Sequence, residues 1–446
     1  MASDVYRSLR VFEQECNGCM TCMRSCTASA IRMRKDKPVV LEDRCIDCGE
    51  CIRVCARKAI RPKTPPLSDL ARFEYLIASP CAPLLVQFQQ DVGPADVLEA
   101  LLRIGFDEVV LLDEACEAYM VALGRLILTR EHAAPFITSH CPAIVRVVQT
   151  LHPDLVENLV PLLSAREVAA RQARAAAARK TGLPQEKIGL VYITPCPSKM
   201  VDFQAHRLVG GSSVDVLMPL SDIYHEVFTA LAAMRREGEL TREGVTSSAL
   251  AWAILGGMSR NLRRIVMGLD SRLPAKGRRR ADAVDFLPVA RIPEIRRLFD
   301  EMEKGRLHNV DLIECMACPE GCVGGSLTVD NPYVARSKAI TLLRKLPPPE
   351  ASIDWERAEA LVRQGALDPG EGFMATPLEP LDEDFGRSVM KMQRKEELVG
   401  SLPGIDCGAC GSPTCSSLAE DIVKGTARLG DCVVLRARSH PALEQF

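Results

Sequence analysis

The sequence predicts an α/β protein: a central body with mostly parallel sheets lies between a small cysteine-rich unit and a small, mainly helical one. Three observations predict it. Short apolar runs alternate with amphipathic stretches from about residue 70 to 345, the pattern of strands and helices wound into parallel sheets. Most of the nineteen cysteines gather in tight clusters, eight of them between Cys16 and Cys55. Proline-rich stretches separate the parts, RPKTPPLSD over 61–69 and PPPE, DPGEG and TPLEPLDED within 346–386. The expected organisation is a first unit over 1–62, a central domain over 70–345, a linker over 346–386 and a last unit over 387–446.

In the central body the runs LIAS (76–79), EVVLLD (108–113), IGLVYIT (188–194) and VDLIEC (310–315) read as buried strands. DVLEALLRIGF (96–106) is amphipathic, and SAREVAARQARAAAARKTG (164–182) reads as an Ala/Arg helix stopped by Gly182 ahead of Pro184. Residues 387–446 open with a helical run and close around four cysteines.

A chain of 446 residues, 47% hydrophobic and 26% charged, has the composition of a soluble globular protein. Its net charge of −2 predicts neither nucleic acid nor an anionic membrane as partner. No apolar run reaches the roughly 18 residues of a membrane span, Ala249–Met258 being among the longest. The start, MASDVYRSLRVFEQE, lacks the apolar core of a signal peptide, so a cytoplasmic location is expected. An odd cysteine count in a large chain without an export signal argues against a disulfide framework. Thiols two or three residues apart in a reducing compartment point to metal.

Cys16-x2-Cys19-x2-Cys22-x3-Cys26 recurs 29 residues later (from Cys16 to Cys45) as Cys45-x2-Cys48-x2-Cys51-x3-Cys55. This spacing resembles bacterial two-cluster ferredoxins, in which the fourth cysteine of each run serves the other cluster. The resemblance implies one 4Fe–4S cluster on Cys16, Cys19, Cys22 and Cys55, and a second on Cys45, Cys48, Cys51 and Cys26. The fourth cysteine is expected to begin a short helix. Thr27 and Ala56 stand where proline usually follows it, which removes no ligand. Two zinc sites are the alternative.

Cys407-x2-Cys410-x4-Cys415-x16-Cys432 offers four further ligands, for one more 4Fe–4S cluster or for zinc. Gly404, Gly408 and Gly411 would let the backbone approach a bulky group. The setting LPGIDCGACGSPTCSSLAEDIVKG resembles the small 4Fe–4S domain of electron-transfer subunits from anaerobes.

In the centre, ITSHCPAIV (137–145), ITPCPSK (193–199) and ECMACPEGCVGG (314–325) each set Cys-Pro on a loop after an apolar strand. In order, they resemble the three signature loops of iron-only (FeFe) hydrogenases, TSCCP, MPCxxK and ExMACPGGCxGG. LGGMSRNLR (255–263) is similar to a degraded form of that family's GGVMEAALR. The resemblance implies a two-lobed hydrogenase-like domain whose Cys141, Cys196, Cys318 and Cys322 hold a third 4Fe–4S cluster. It further implies that Cys322 bridges to a two-iron subcluster, with Lys199, Met316, Pro195 and Gly324 at that cofactor. His140 replaces the family's proton-relaying cysteine, and an imidazole can also carry protons near neutral pH. The acidic proton channel has no counterpart in DEACEAYMVALG (113–124), and Gly324-Gly325-Ser326-Leu327 replaces GGGQP. Cys81, Cys116 and Cys315 stay unassigned, the ordinary reading being buried small residues.

The order of units resembles the sensory branch of iron-only hydrogenases. Two functions follow as expectations. One is a low-activity hydrogenase or hydrogen sensor passing electrons through 4Fe–4S clusters to a redox or signalling partner. The other is an electron-relay subunit of a larger oxidoreductase that lacks the two-iron subcluster.

Overall fold

In the computed structural model, residues 8–64, 67–129, 135–202, 212–241, 243, 248–274, 280–346 and 353–438 are described. Parts of both expected linkers, 65–66 and PPPE at 347–350, lie outside them. The chain forms two compact units, one from 1–62 with 376–446 and the other from 63–375.

The unit built from the two chain ends starts with the cysteine repeat. Strand β1 (Leu9–Val11) pairs antiparallel with β4 (Ile60–Pro62), bringing the ends of the repeat together, while β2 (Ile31–Arg34) pairs with β3 (Lys37–Val40) between the two quartets. Each quartet carries one helical turn, Thr21–Arg24 or Glu50–Arg53, entered through a left-handed residue, Met20 or Gly49. The third cysteine of each run, Cys22 or Cys51, lies on that turn, and the fourth, Cys26 or Cys55, follows its end. The fourth cysteine therefore does not begin a helix, because the turn that carries the third cysteine ends two residues before it, at Arg24 or Arg53.

The C-terminal segment adds the helices Phe385–Ser401, Cys415–Val423 and Val433–Arg438. Leu398 of the first and Leu402, just past its end, pack with Leu418 and Ala419 of the second. This segment is fastened to the ferredoxin-like part by buried charge: the Arg32 guanidinium reaches Asp421 at 2.7 Å, both side chains nearly inaccessible, and Arg34 and Arg44 reach Asp421 and Glu420. The Met33 amide donates to the Gly411 carbonyl at 2.7 Å. A Cβ at Gly411 would come within 2.4 Å of the Met33 carbonyl oxygen, so the close approach served by this glycine is one between backbones.

The larger unit holds, among the described residues, two parallel sheets. Strands β5 (Tyr75–Pro80), β6 (Glu108–Val109), β8 (Ile188–Thr194) and β9 (Val216–Pro219) lie in the order β6-β5-β8-β9, and β7 (Phe136–Ile137), β10 (Phe286–Ala290) and β11 (Leu312–Met316) in the order β10-β11-β7. The mostly parallel α/β body read from the sequence is present. The run EVVLLD yields only two strand residues, because Asp113 already opens the helix Asp113–Thr129. That helix is buried on nearly all sides and forms the centre of the apolar core. The Ala/Arg helix runs Ala165–Thr181, capped by Ser164 and ended by left-handed Gly182.

The stretch 346–386, expected to be a linker, contains the helix Trp355–Arg363, which packs on the helix Asp113–Thr129 and buries Ala358 and Leu361 in the same core. The Leu163 amide donates to the Leu367 carbonyl, pinning the next turn as well. Its proline and glycine signals are real, yet the short amphipathic run between them suffices for a packed helix. No helix among the described residues is long and apolar enough to cross a membrane.

Candidate metal centres

Parallel strands converge their carboxyl ends on one side, where the next loops and helix starts gather. Strand β7 leads to Cys141, which precedes the helix Pro142–Leu151. Strand β8 leads to Cys196, β11 to Cys318 and Cys322, and β5 to Cys81. Loops of both sheets thus supply thiols to one place. Burial pushes the Cys141 thiol up to about 12, with Cys196 and Cys322 adding like-charge repulsion. Cys322 is raised by burial as well, opposed by Lys199. Cys318 lies four residues before Cys322 on the same loop and is half-buried.

The loops are fixed to one another. The Leu327 amide donates to the Pro195 carbonyl at 3.1 Å, and a Cβ at Gly325 would meet that same oxygen at 2.5 Å. A Cβ at Gly324 would strike the Pro319 carbonyl at 2.1 Å, so this glycine lets the loop fold on itself. The buried Glu314 carboxylate accepts from the Gly256 and Ser259 amides at 3.0 and 2.8 Å. It thereby ties the LGGMSRNLR segment, at the start of the helix Gly257–Asp270, to the strand that delivers Met316. Met316 is almost fully buried.

Lys199 is partly buried, its amine 3.5 Å from the Tyr192 hydroxyl and 5.7 Å from that ring's centre. Among the described residues no carboxylate pairs with it. Burial works against its charge, but Tyr192, Cys322, Cys196 and Cys81 more than offset this, and its affinity for the proton is raised. Among the described residues neither ring nitrogen of His140, both shielded from solvent, has a hydrogen-bond partner, and the ring packs edge-on to Trp252 at 5.9 Å. Burial, then the Lys199 charge, pulls its pKa down to about 3, so it is neutral at physiological pH.

Cys81, Cys116 and Cys315 are all buried. Cys116 belongs to the apolar core. Cys81 is pushed up to about 12 by burial, with Lys199 opposing and Cys322 reinforcing, and Cys315 is raised by burial and by Cys141. The last two therefore border the central thiols.

In the other unit, burial lifts the Cys22 thiol to about 11, with Cys16, Cys19 and Cys55 contributing. Cys48 and Cys51 are raised by burial and by Cys45 and Cys26. The fourth cysteine of each run acts on thiols of the other run, Cys55 on Cys22 and Cys26 on Cys48 and Cys51. The Cys26 and Cys55 sulfurs each accept a backbone N–H from four residues on, Ala30 and Ala59, both at 3.3 Å. Cys407, Cys410, Cys415 and Cys432 line one small, partly open pocket. Cys415 opens its helix behind the Thr414 cap, its amide donating to Asp406 at 2.6 Å.

Three features escaped the sequence reading. Ser198 stands 2.8 Å from the Cys196 sulfur, Glu314 joins two motifs, and Arg32 with Asp421 joins the chain ends. Ser198 and Glu314 lie inside the quoted motifs, where the cysteines drew the attention. Nothing in local spacing pairs Arg32 with Asp421.

Comparison with known proteins agrees with this layout. The family model of the iron-only hydrogenase large subunit, C-terminal domain, matches residues 75–326. A 4Fe–4S dicluster domain matches 15–60 and an Fe–S cluster domain 402–434. The NADP-reducing hydrogenase subunit HndD of Solidesulfovibrio fructosivorans is 25% identical over 258 residues, covering 51% of this chain and 44% of that protein. The chain thus matches less than half the length of this relative. Among solved structures, the FeFe hydrogenase HydA(deltaEFG), described for stepwise H-cluster assembly, aligns at a TM-score of 0.50 and 18% identity over 70% of this chain and 97% of that one. A variant of HydA1 from Chlamydomonas reinhardtii aligns at 0.51 and 17%, over 70% and 98%. These structural likenesses speak for the fold. With more than half of its length matched by the family model, this iron–sulfur chain belongs to the family defined by the C-terminal domain of the iron-only hydrogenase large subunit.

Proposed function

We propose that the protein is a low-activity hydrogenase or hydrogen sensor that exchanges electrons with a partner through four 4Fe–4S clusters. In this reading Cys16, Cys19, Cys22 and Cys55 hold one cluster, Cys45, Cys48, Cys51 and Cys26 a second, and Cys407, Cys410, Cys415 and Cys432 another. Cys141, Cys196, Cys318 and Cys322 hold the central cluster, and Cys322 adjoins a two-iron subcluster, which when bound supplies the hydrogen chemistry.

One observation carries the reading. A lysine without a carboxylate partner among the described residues stands against Cys81, Cys196 and Cys322. A buried ammonium is costly unless something negative faces it. Ligating thiolates and an anionic cluster meet that need; a core of neutral thiols does not. The donor set fits iron, since soft thiolates from separate loops are the ligands of Fe–S clusters. Lys199 would bind the anionic ligands of the subcluster, while Met316 and Pro195 shield it from water. His140, neutral and shielded, would hold or pass a proton next to Cys141.

The relative HndD is a hydrogenase subunit, which supports a partner protein as the source or sink of electrons. The first reading rests on the order of units and on the retained Lys199, Met316 and Cys322. A second reading, a relay subunit with only the cubane in the centre, is favoured by the altered residues His140 and Ser326. Infrared spectroscopy decides between them. Anaerobic protein coexpressed with the maturation enzymes should show carbonyl and cyanide bands. Their absence, with the central cubane present, would leave the relay reading.

A further inference from the structure

The chain places a buried hydroxyl on one of its central sulfurs. Ser198 is 2% exposed, and its Oγ lies 2.8 Å from the Cys196 Sγ. It belongs to the helical turn that starts at Pro197, immediately after the cysteine. The backbone of Cys196 is held separately. Its amide donates to the Thr194 hydroxyl at 3.2 Å, and that hydroxyl donates to the Cys196 carbonyl at 3.1 Å. Thr194 thus shapes the loop, and Ser198 is left to address the sulfur.

In a free cysteine either group could donate. A cysteine that ligates iron is a thiolate and has no proton to give, so the hydroxyl is then the donor. We propose that Ser198 donates a hydrogen bond to the ligand sulfur of Cys196 and so raises the reduction potential of the central cluster. The proposal rests on the reading that Cys196 holds that cluster. Its physical basis is the growth of negative charge on reduction. A one-electron reduction adds charge that spreads onto the ligand sulfurs, and a hydrogen bond to a charged acceptor strengthens with that charge. The donor therefore stabilises the reduced form more than the oxidised one. No proton changes hands, and the hydrogen stays on Ser198.

The recorded contacts of Cys26, Cys55 and Cys19 are of another kind. The Cys26 and Cys55 sulfurs accept backbone amides, which no side-chain substitution removes. The Thr21 hydroxyl lies 3.5 Å from the Cys19 sulfur at an exposed position, where water competes. Ser198 is a positioning residue for the central cluster, set where a side chain can tune one potential and leave the rest unchanged.

The test uses the full chain, purified anaerobically, as wild type, Ser198→Ala and Ser198→Thr. Iron and sulfide are assayed first, and potentials are then measured by redox titration followed by electron paramagnetic resonance. Ser198→Ala should keep its iron and move one component to lower potential. The reduced-to-oxidised ratio of that component should fall up to about tenfold at fixed potential, about 59 mV for one electron. The other components should stay in place, and Ser198→Thr should restore the wild-type value. Full iron with no component shifted would overturn the proposal. The underlying ligand reading is checked apart from it, by Cys196→Ala, which must lose the central irons for that reading to stand. Should Ser198→Ala itself lose iron, pulsed resonance on the wild type in deuterated water decides. An exchangeable deuteron coupled to the central cluster supports the proposal, and its absence overturns it.

Discussion

Within the unit built from the chain ends, consecutive cysteines of the first two quartets are separated by two or three residues, and a single helical turn presents them. In the central unit, by contrast, Cys141, Cys196 and Cys322 stand 55 and 126 residues apart (196 − 141 and 322 − 196), and two sheets must form before they meet. Exposure follows this division only in part. Cys19 is exposed and Cys16, Cys26, Cys48 and Cys55 are half-buried beside buried Cys22, Cys45 and Cys51, whereas in the centre Cys141 and Cys196 are buried and Cys318 and Cys322 half-buried. Clusters meant to exchange electrons with outside proteins need short paths to the surface, and local loops give them that. A centre meant to exclude water needs a folded body around it, at the cost of ligands that no single segment can gather.

This contrast predicts its largest effects for ligand substitutions. Counting ligands gives about 16 irons per chain, or about 18 with the subcluster. Cys415→Ala should remove about four irons and leave the ferredoxin-type signals intact, because its set is local. Cys196→Ala should also remove the central irons, and it should weaken the fold of residues 63–375 as well, since a cluster on the proposed ligands would join loops from both sheets. Iron assays with thermal melts separate the two outcomes. Equal melting behaviour in both variants would break the comparison.

The next effect lies in the join between the chain ends. Arg32 and Asp421 are 2% and 5% exposed, so removing one charge strands the other. Asp421→Asn should cost about 3 kcal/mol in the stability of that unit, read by denaturant titration of its cluster absorbance. Burial alone would raise the Asp421 carboxyl, but Arg32, Ser412 and Arg34 prevail and hold it below the ordinary range. A depressed folded pKa gives stability that is full above the unfolded value, about 4, and is lost as pH falls through the folded one. The gap between wild type and Asp421→Asn should therefore be constant from pH 8 to about 5 and close only in acid below about 4.

A smaller effect should appear at the helix Trp355–Arg363. Leu361→Ala should cost about 2–4 kcal/mol in the larger unit, because the side chain is buried against the central helix. Arg357–Glu114 and Arg125–Glu359 pairs at 2.6 and 3.1 Å fasten the same helix, though exposed pairs add little. Limited proteolysis should spare residues 355–367 and cut first near 61–69 and 371–384. Early cleavage inside 355–367 would return that segment to the linker it resembled.

How legible the molecule was in its sequence follows the same division. The strands that end at the central site were legible because β5, β8 and β11 are buried and mostly apolar, with Glu314 of β11 the one charged residue among them. The ferredoxin repeat was legible because its ligand spacing is the structure. The packed helix at 355–363 was hidden by the proline and glycine on its flanks. The Arg32–Asp421 join was hidden because 389 residues separate partners that no period connects. Ser198 was hidden for a different reason: a serine two residues from a cysteine has no meaning until the loop's turn aims its hydroxyl.

The smallest effect expected is at His140, where the two regions' demands meet in one side chain. Its neighbour Cys141 belongs to the shielded centre, and among the described residues its own ring nitrogens have no partner, while burial pulls its pKa down to about 3. A base that weak is charged in a very small fraction at neutral pH, so it accepts protons reluctantly. A thiol at the same place is shorter and matches the family pattern next to the ligand. Hydrogen turnover of the wild type should therefore be low, and His140→Cys should raise it modestly, with assays run on anaerobic, matured protein. The gain should stay small because the family's acidic channel motif is not recognisable in the segment 113–124, and the helix there is packed into the core. A His140→Cys variant that keeps its infrared bands but turns over no faster would show that proton exit, and not the residue beside Cys141, limits this site.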